Sequence, residues 1–319
     1  RPLLEHMNKK FSQNRPLSEY LSIDESMIRF KGRSSLKQYN PMKPIKRGYK
    51  FWCHSDDSGY VFKTSLYTGK DHTKENDTHR KNLGLGGEVV TSLLSHVTKK
   101  NHKIFFDNFF SSIPLMEHLR SEQKLACATI RSSRKDVPEL TGDKQLKRGE
   151  FDYRSTLNGI TVNKWEDIKP VHFISNYHGV SMTSVQRREK NGLRVTVTCP
   201  SVVKDYNDHM GGVDKHDMMR QLYGTDRKSK KWWHRIFFGV IDMALVNSHV
   251  IFQENSDVED QLPLLDFYRE VAAGLLTYSN KVSQGAPKRR KSQYSTPDAV
   301  RLSNVGIHLP VFVKEKNRC

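Results

Sequence analysis

Tyr206-Asn-Asp-His-Met-Gly-Gly-Val-Asp-Lys-His-Asp-Met-Met219 is the stretch on which the reading of this chain turns. Gly211 and Gly212 interrupt it, and from Val213 onward the pattern is helical. Asp214 and Asp217 stand three apart, a spacing that puts both on one helix face. Their position near the helix start suits anionic side chains, because the macrodipole is positive there. Capping alone accounts for many aspartates at such places. Two upstream carboxylates argue for more: Asp24 and Asp107 each lie inside a short apolar run, where a solvated surface carboxylate is not expected.

Working outward, Glu19-Tyr-Leu-Ser-Ile-Asp-Glu-Ser-Met-Ile-Arg-Phe30 predicts a strand with Tyr20, Ser22, Asp24 and Ser26 on one face and Leu21 and Ile23 on the other. Tyr49 to Cys53 and Tyr60 to Tyr67 predict a hairpin around the turn Asp56-Asp-Ser-Gly59. A polar loop over 71–82 and a helix over 88–98 follow. Lys103-Ile-Phe-Phe-Asp-Asn-Phe-Phe-Ser-Ser112 reads as a buried strand ending at Asp107, Pro114 as the start of a helix to about Glu122, and 124–130 as another strand. This order suits an α/β fold, a mixed sheet with helices on its faces, in which the strands of Asp24 and Asp107 can be neighbours. Between 142 and 204 four alternating segments (149–154, 160–165, 171–175 and 193–199) read as a β-rich insertion before the last acidic helix, 205–223. Arg1 to Ser18 has helical spacing. Arg227-Lys-Ser-Lys-Lys-Trp-Trp-His-Arg235 is expected to open a helix reaching about Phe252, with a further helix over 263–276 in an additional helical region, 224–280. A basic linker, 281–306, carries Lys288-Arg-Arg-Lys291, and a strand is expected to begin near His308.

Composition narrows the partners. Lys and Arg number 53 against 35 Asp and Glu, a formal charge of +18 spread along the chain, which favours nucleic acid over a membrane surface. The cysteines, Cys53, Cys127, Cys199 and Cys319, form no CxxC pair, which suits a reducing compartment without a disulfide framework. The apolar run from Trp232 to Phe252 contains His234, Arg235, Asp242, Asn247 and His249, so a buried helix is expected there rather than a membrane span. The sequence opens at Arg1 without an initiator Met and stops at Cys319, which reads as a piece of a longer protein.

Carboxylates from two strands and a helix suit one chemistry in particular. Two divalent ions about 3.5–4 Å apart activate an attacking oxygen and stabilise a leaving one at a phosphodiester. Mg²⁺ fits because it prefers oxygen ligands and keeps several waters. No HExxH helix, GxxxxGK[ST] loop, GxGxxG fingerprint or GxSxG elbow is present. Lys31, Arg33, Lys37, Lys43, Lys46 and Arg47 in the loop after the first strand, and Arg227, Lys228, Lys230 and Lys231 ahead of the tryptophans, are the candidate phosphate contacts, with Trp232 or Trp233 available to stack on bases.

Four motifs in order, Ser22-Ile-Asp-Glu-Ser-Met-Ile-Arg-Phe-Lys-Gly-Arg33, Lys43-Pro-Ile-Lys-Arg-Gly-Tyr-Lys-Phe-Trp52, Phe106-Asp-Asn-Phe-Phe-Ser-Ser112 and the opening stretch, resemble those of piggyBac-family transposases over most of the chain. The resemblance implies an RNase H-like core over 19–141 completed by 205–223, with Asp24, Asp107 and Asp214 as the catalytic triad and Asp217 as a nearby fourth carboxylate. It implies Mg²⁺ as cofactor, two ions that Mn²⁺ may replace, and cleavage and joining of double-stranded DNA at TTAA targets through hairpin ends, in the nucleus. Residues 1–18 and 224–280 would belong to a DNA-binding and dimerisation region, the full-length protein being a homodimer. Residues 307–319 would begin a truncated cysteine-rich domain in which Cys319 is the first zinc ligand, so that Zn²⁺ belongs only to a C-terminal region that this sequence lacks. Two other readings stand beside this one: a transposase-derived nuclear DNA-binding protein that no longer cuts, and an unrelated metal-dependent nuclease or phosphatase.

Overall fold

Alternate burial along the strands sets the layers of the molecule. The computed structural model describes residues 2–41, 43–69, 78–142, 145–225, 227–229 and 231–283. The predicted basic linker and the strand expected after it lie outside the described residues. The elements run α1 (Pro2–Asn14), β1 (Tyr20–Arg29), β2 (Gln38–Tyr39), β3 (Arg47–Asp56), β4 (Val61–Leu66), α2 (Thr78–Leu93), β5 (Lys103–Phe106), α3 (Ile113–Ser121) and β6 (Leu125–Thr129). Then come β7 (Phe151–Ser155), β8 (Thr161–Glu166), β9 (Pro170–Ser175), β10 (Met182–Arg188), β11 (Arg194–Pro200), α4 (Ser201–His209), α5 (Gly212–Leu222), α6 (Trp233–Asn255) and α7 (Leu264–Ser283). The chain divides after Phe267 into two units, and the site described below lies wholly in the first.

Nine strands form one sheet in the order β3–β1–β5–β6–β9–β8–β7, with β2 and β4 paired to β3. Only β1·β5 and β5·β6 are parallel. Ile104 and Phe106 of β5 point with Ala126 and Ala128 of β6 into a core closed by Val90, Leu93, Leu115 and Leu119 of α2 and α3. Phe105 and Cys127 point the other way, toward Trp165, Val202 and Val203. On β3, Tyr49, Phe51 and Cys53 share that second face with Val213 of α5 and Val240 and Met243 of α6. Period-two alternation thus divides the strand side chains between two helical layers. Both faces of β1 are covered, which is why it is buried along most of its length.

The outer edge at β4 is closed by side-chain amides. Asn247 of α6 accepts from Val61 N at 2.9 Å and donates to Val61 O at 2.8 Å. Asn8 of α1 does the same at Thr64, accepting at 2.9 Å and donating at 2.8 Å. Each asparagine takes the place of a missing strand, satisfying the edge groups that would otherwise be open to another chain. Helix α6 is the one described helix long and apolar enough to cross a membrane; here Gly239, Val240, Met243, Val246 and Val250 are buried in the protein.

Several sequence expectations need correction. The segment 142–204 is β-rich, carrying β7–β11, and is continuous with the core: β9 pairs antiparallel with β6, so β7–β9 extend the central sheet. A strand was missed, β10, which pairs with β11 in a two-stranded ribbon; its burial alternates between exposed and half-buried, so no strong apolar alternation marks it. Helix α2 begins at Thr78, inside the expected loop, and is broken at Gly84, whose φ of 69° an L side chain adopts only with strain. It ends at Leu93, where a single 3₁₀ turn replaces the expected last α-turn. Helix α6 starts only at Trp233, leaving Arg227, Lys228 and Lys231 on the segment before it.

Candidate active site

The parallel register brings two of the predicted carboxylates together. Ile23 of β1 is the Cα partner of Phe106 of β5, so the next step along both strands reaches Asp24 and Asp107. Asp107 leaves the strand there and accepts from Phe109 N at 2.9 Å, which fixes its carboxylate in the following turn. Asp24 accepts from Glu25 N at 2.7 Å. The third, Asp214, arrives on α5, which lies across β1 and β3. Its approach depends on Gly212, whose backbone rests against Asp56, Ser22 and Ser55.

A single ammonium joins strand and helix. Lys43 Nζ lies 3.0 Å from Asp24 Oδ2 and 3.4 Å from Asp214 Oδ1. Asp24 is buried and Asp214 largely exposed; Asp214 and Lys43 line a cleft of about 750 Å³, and Asp24 meets it through Lys43. Lys43, Pro44 and Ile45 line one side of it, Asp214, Asp217, Met218 and Leu222 of α5 another, with Glu25 and Asp107 between. Met218 and Leu222 expose much of their apolar surface beside the acidic groups.

Burial dominates the electrostatics. It pushes the Asp24 carboxyl up to about 7, with Lys43 pulling against it and Asp107 adding to the rise. Asp107 is raised by the same cause, with Glu25 contributing. Lys43 is held protonated by Asp24 and Asp214 against the cost of its own desolvation. Asp24 and Asp107, both held back from ionisation by burial, make a centre short of positive charge even with Lys43 beside Asp24.

That shortage is the test of fit for a divalent ion. Oxygen donors from Asp24, Asp107 and Asp214 are the ligand type Mg²⁺ prefers, and the lysine ammonium stands where positive charge is already accepted by two of them. The residues fit such an ion. Among the described residues, no three His, Cys, Asp or Glu side chains are gathered closely enough to enclose one as they stand.

Asp217 is placed differently from the other three. Although it borders the cleft, its Oδ1 accepts from Ser26 Oγ at 2.6 Å and pairs with Arg220 at 2.9 Å, while Oδ2 lies 3.4 Å from Met27 N. Arg220 also donates to Met27 O at 2.9 Å. Asp217, expected as the nearby fourth carboxylate, thus borders the cleft and also fastens α5 to β1.

Among the candidate phosphate contacts, Lys31, Arg33, Lys46 and Arg47 are exposed, and the Arg47 guanidinium lies 5.3 Å from the Tyr39 ring centre. Lys37 is half-buried and donates to Gly32 O at 2.8 Å. Arg227, Lys228 and Lys231 are exposed; Lys230 lies outside the described residues. Trp232 and Trp233 are each 44% exposed, so neither is consumed by the core. Sequence reasoning missed the acidic neighbour Glu25, paired with Lys50 at 3.0 Å, and the ion pairs of Lys43. Lys43 stands in a loop of cations, and nothing local distinguishes it.

A second constellation has the residue types of a hydrolase. His178 Nδ1 lies 2.9 Å from Ser175 Oγ, and its Nε2 2.9 Å from Asp205 Oδ2. Ser175 is fully buried and its hydroxyl also lies 3.0 Å from Ala126 O, a strand partner. A nucleophile needs access to its substrate; this serine is a structural one.

Comparison with known proteins agrees with this architecture. A family model described as Transposase IS4 matches residues 1–249, and the chain belongs to that family of transposases. Within it the chain is of the piggyBac type. It is 33% identical over 335 aligned positions to the human PiggyBac transposable element-derived protein 2, covering 100% of this chain and 54% of that one. To the human PiggyBac transposable element-derived protein 3 it is 31% identical over 284 positions, covering 86% and 47%. The chain thus spans about half the length of the curated relatives it matches. Its fold matches that of a piggyBac transposase solved by cryo-electron microscopy as a synaptic complex with hairpin DNA, with a TM-score of 0.71 at 24% identity over 94% of this chain and 59% of that one. The fold is therefore RNase H-like, a mixed sheet with flanking helices.

Proposed function

We propose that this chain is the catalytic portion of a piggyBac-type DNA transposase, which cuts and joins DNA strands with the help of divalent metal. The observation that carries the reading is that Asp24 and Asp107 follow paired residues of two adjacent parallel strands, that Lys43 links Asp24 to Asp214 of α5, and that Asp107, Asp214 and Lys43 line one cleft. Asp24, Asp107 and Asp214 would hold two Mg²⁺ ions, or Mn²⁺ in their place. Bound there, the metal would supply charge stabilisation to the attacking and leaving oxygens of a phosphodiester. Asp24 and Asp107 would keep their ligand atoms in place because sheet positions are rigid, while Asp214 moves only as α5 does. Asp217, tied to Arg220 and Ser26, positions that helix rather than taking a share of the metal.

The exposed cations Lys31, Arg33, Lys46 and Arg47, with Arg227, Lys228 and Lys231, would hold the DNA backbone through phosphates without reading sequence. Water attack at a phosphodiester would free a 3′-hydroxyl, and attack by that hydroxyl on the opposite strand would close a hairpin. The hairpin DNA in the structural neighbour's complex supports this order. Integration at TTAA, action in the nucleus and a homodimeric whole protein complete the proposal.

The decisive experiment compares the chain with Asp107→Asn on a labelled DNA end in Mg²⁺ or Mn²⁺. Cleaved and joined strands from the parent, with none from a variant that folds and binds DNA normally, are expected. Equal cleavage by both would remove Asp107 from the site. Bound but uncut DNA with the parent would point to a transposase-derived binder that no longer cuts.

A further inference from the structure

Lys43 was expected among the phosphate contacts, yet it is the one described member of that loop whose ammonium reaches the acidic centre. Its backbone is anchored from both sides. Asn40 Nδ2 donates to Glu25 Oε1 at 2.6 Å, and Asn40 N donates to Lys46 O at 2.9 Å, closing the loop that carries Lys43 over the cleft. The Lys43 side chain is 21% exposed and lines the cleft. Four rotatable bonds let a lysine ammonium move several ångströms with no change in the backbone.

We propose that Lys43 is the internal counter-ion of the metal-free centre, displaced when a divalent cation loads and then free to take a DNA phosphate beside the reacting bond. The inference rests on the reading of Asp24 and Asp214 as metal ligands. Mg²⁺ binds carboxylate oxygens at about 2.0–2.1 Å. An ammonium kept at hydrogen-bond distance from the same oxygens would then be crowded against a like charge, and repulsion at that range inside a partly buried site drives it out. Loss of Lys43 without replacement leaves Asp24 buried and unpaired, which disfavours an empty centre. Departure of Lys43 and arrival of metal are therefore linked, and a phosphate that draws Lys43 outward favours metal by the same amount that metal favours the phosphate. Metal and DNA would load cooperatively through one side chain.

The test is a Mn²⁺ titration by calorimetry on the parent chain, Lys43→Gln and Lys46→Gln, each with and without a DNA duplex. Without DNA, Lys43→Gln is expected to bind Mn²⁺ about tenfold more tightly than the parent, the scale of one charge-assisted contact. DNA should tighten Mn²⁺ binding by the parent and leave Lys43→Gln unchanged. Lys46→Gln removes the same charge from a side chain that does not touch the carboxylates, so it should weaken DNA binding while keeping the parent's Mn²⁺ affinity. Lys43→Met, which preserves the apolar stem, replaces the Gln variant if that one does not fold. Parent binding with no gain in either Lys43 variant overturns the counter-ion. No Mn²⁺ binding by the parent, with or without DNA, overturns the metal-site reading itself and the counter-ion with it.

Discussion

A side chain on Gly212 would collide with Asp56: its Cβ would stand 2.2 Å from the Asp56 carbonyl oxygen and 2.7 Å from the hydroxyls of Ser22 and Ser55. The obstacle at Asp56 is backbone at the end of β3, held by the hairpin turn, which cannot give way as a flexible side chain can. Gly212→Ala is expected to lift the start of α5 off β3. Overpacking of this kind costs about 1–3 kcal/mol, and Asp214, two residues on, moves with the helix. Urea denaturation gives the stability loss. A metal-induced rise in melting temperature that is present in the parent and absent in Gly212→Ala checks the displacement.

Arg220 is buried against Asp217, itself little exposed. Arg220→Met removes the cation and leaves the carboxylate among Ser26, Met27 and the underside of α5. Breaking a buried pair from one side costs about 3–5 kcal/mol. The double variant Arg220→Met with Asp217→Asn should recover part of that loss, because no unpaired charge remains. A double-mutant cycle on unfolding free energies reads the coupling directly, and additive losses would remove the pair from the helix anchor.

The buried histidines set a pH dependence. His216 Nδ1 donates to Gly59 O at 2.9 Å, and burial holds the ring down to about 4. His54, fully buried on β3, is lowered by the same cause, with His96 beside it adding to the effect. An unfolded histidine takes up its proton near 6.5. Above that pH neither state is protonated and stability is at its full value. As pH falls below it, the unfolded chain gains histidine protons that the folded chain refuses, so the histidine contribution falls between about pH 6.5 and 4, by roughly 3 kcal/mol for His216 alone; Asp24 and Asp107, raised in the folded chain, work in the opposite direction over the same range. The difference between the parent and His216→Asn, whose amide can still donate to Gly59 O, cancels those carboxyls and should shrink by about that amount as pH falls from about 6.5 to 4. Equilibrium unfolding at a series of pH values is the measurement.

Asn247→Leu tests the sealed edge of the sheet. It keeps the bulk of the side chain and removes both bonds to Val61. Two unsatisfied backbone groups cost about 2–6 kcal/mol together. Amide hydrogen exchange should quicken at Val61, while at Thr64, held by Asn8, it should change less.

Local pattern made much of this legible. Alternation fixed β1, the hairpin of β3 and β4, and β5; the shared apolar character of β1 and β5 put Asp24 and Asp107 within reach of one another; spacing placed Asp214 and Asp217 on one helix. Pairing between distant segments is another matter. Nothing in Pro170–Ser175 names Leu125–Thr129 as its neighbour, so β9 was separable in sequence and continuous with the core in space. Thr78 to Gly84 is polar and ends at a glycine, so no apolar periodicity marks it as helical in the sequence. Lysine identity gives a charge and a reach, never a direction, so Lys43 was counted with the outward-facing cations. The partner of Asp217 was likewise in plain view three residues on, as Arg220.

The hydrogen-bonded join between β6 and β9 has a bearing on how such a chain can be shortened or recombined. A segment with its own core can be exchanged between proteins as a cassette; 142–204 cannot, because Thr129 pairs with Phe173 and Cys127 with Ser175 across the supposed seam. Excising it would strip β6 of one whole row of partners and bare the neighbouring apolar face, a template for sticking to the next molecule. The tolerant stretches in this region are the exposed loops and β10, which is exposed or half-buried along its length, whereas β11 commits Val197 and Cys199 to the core.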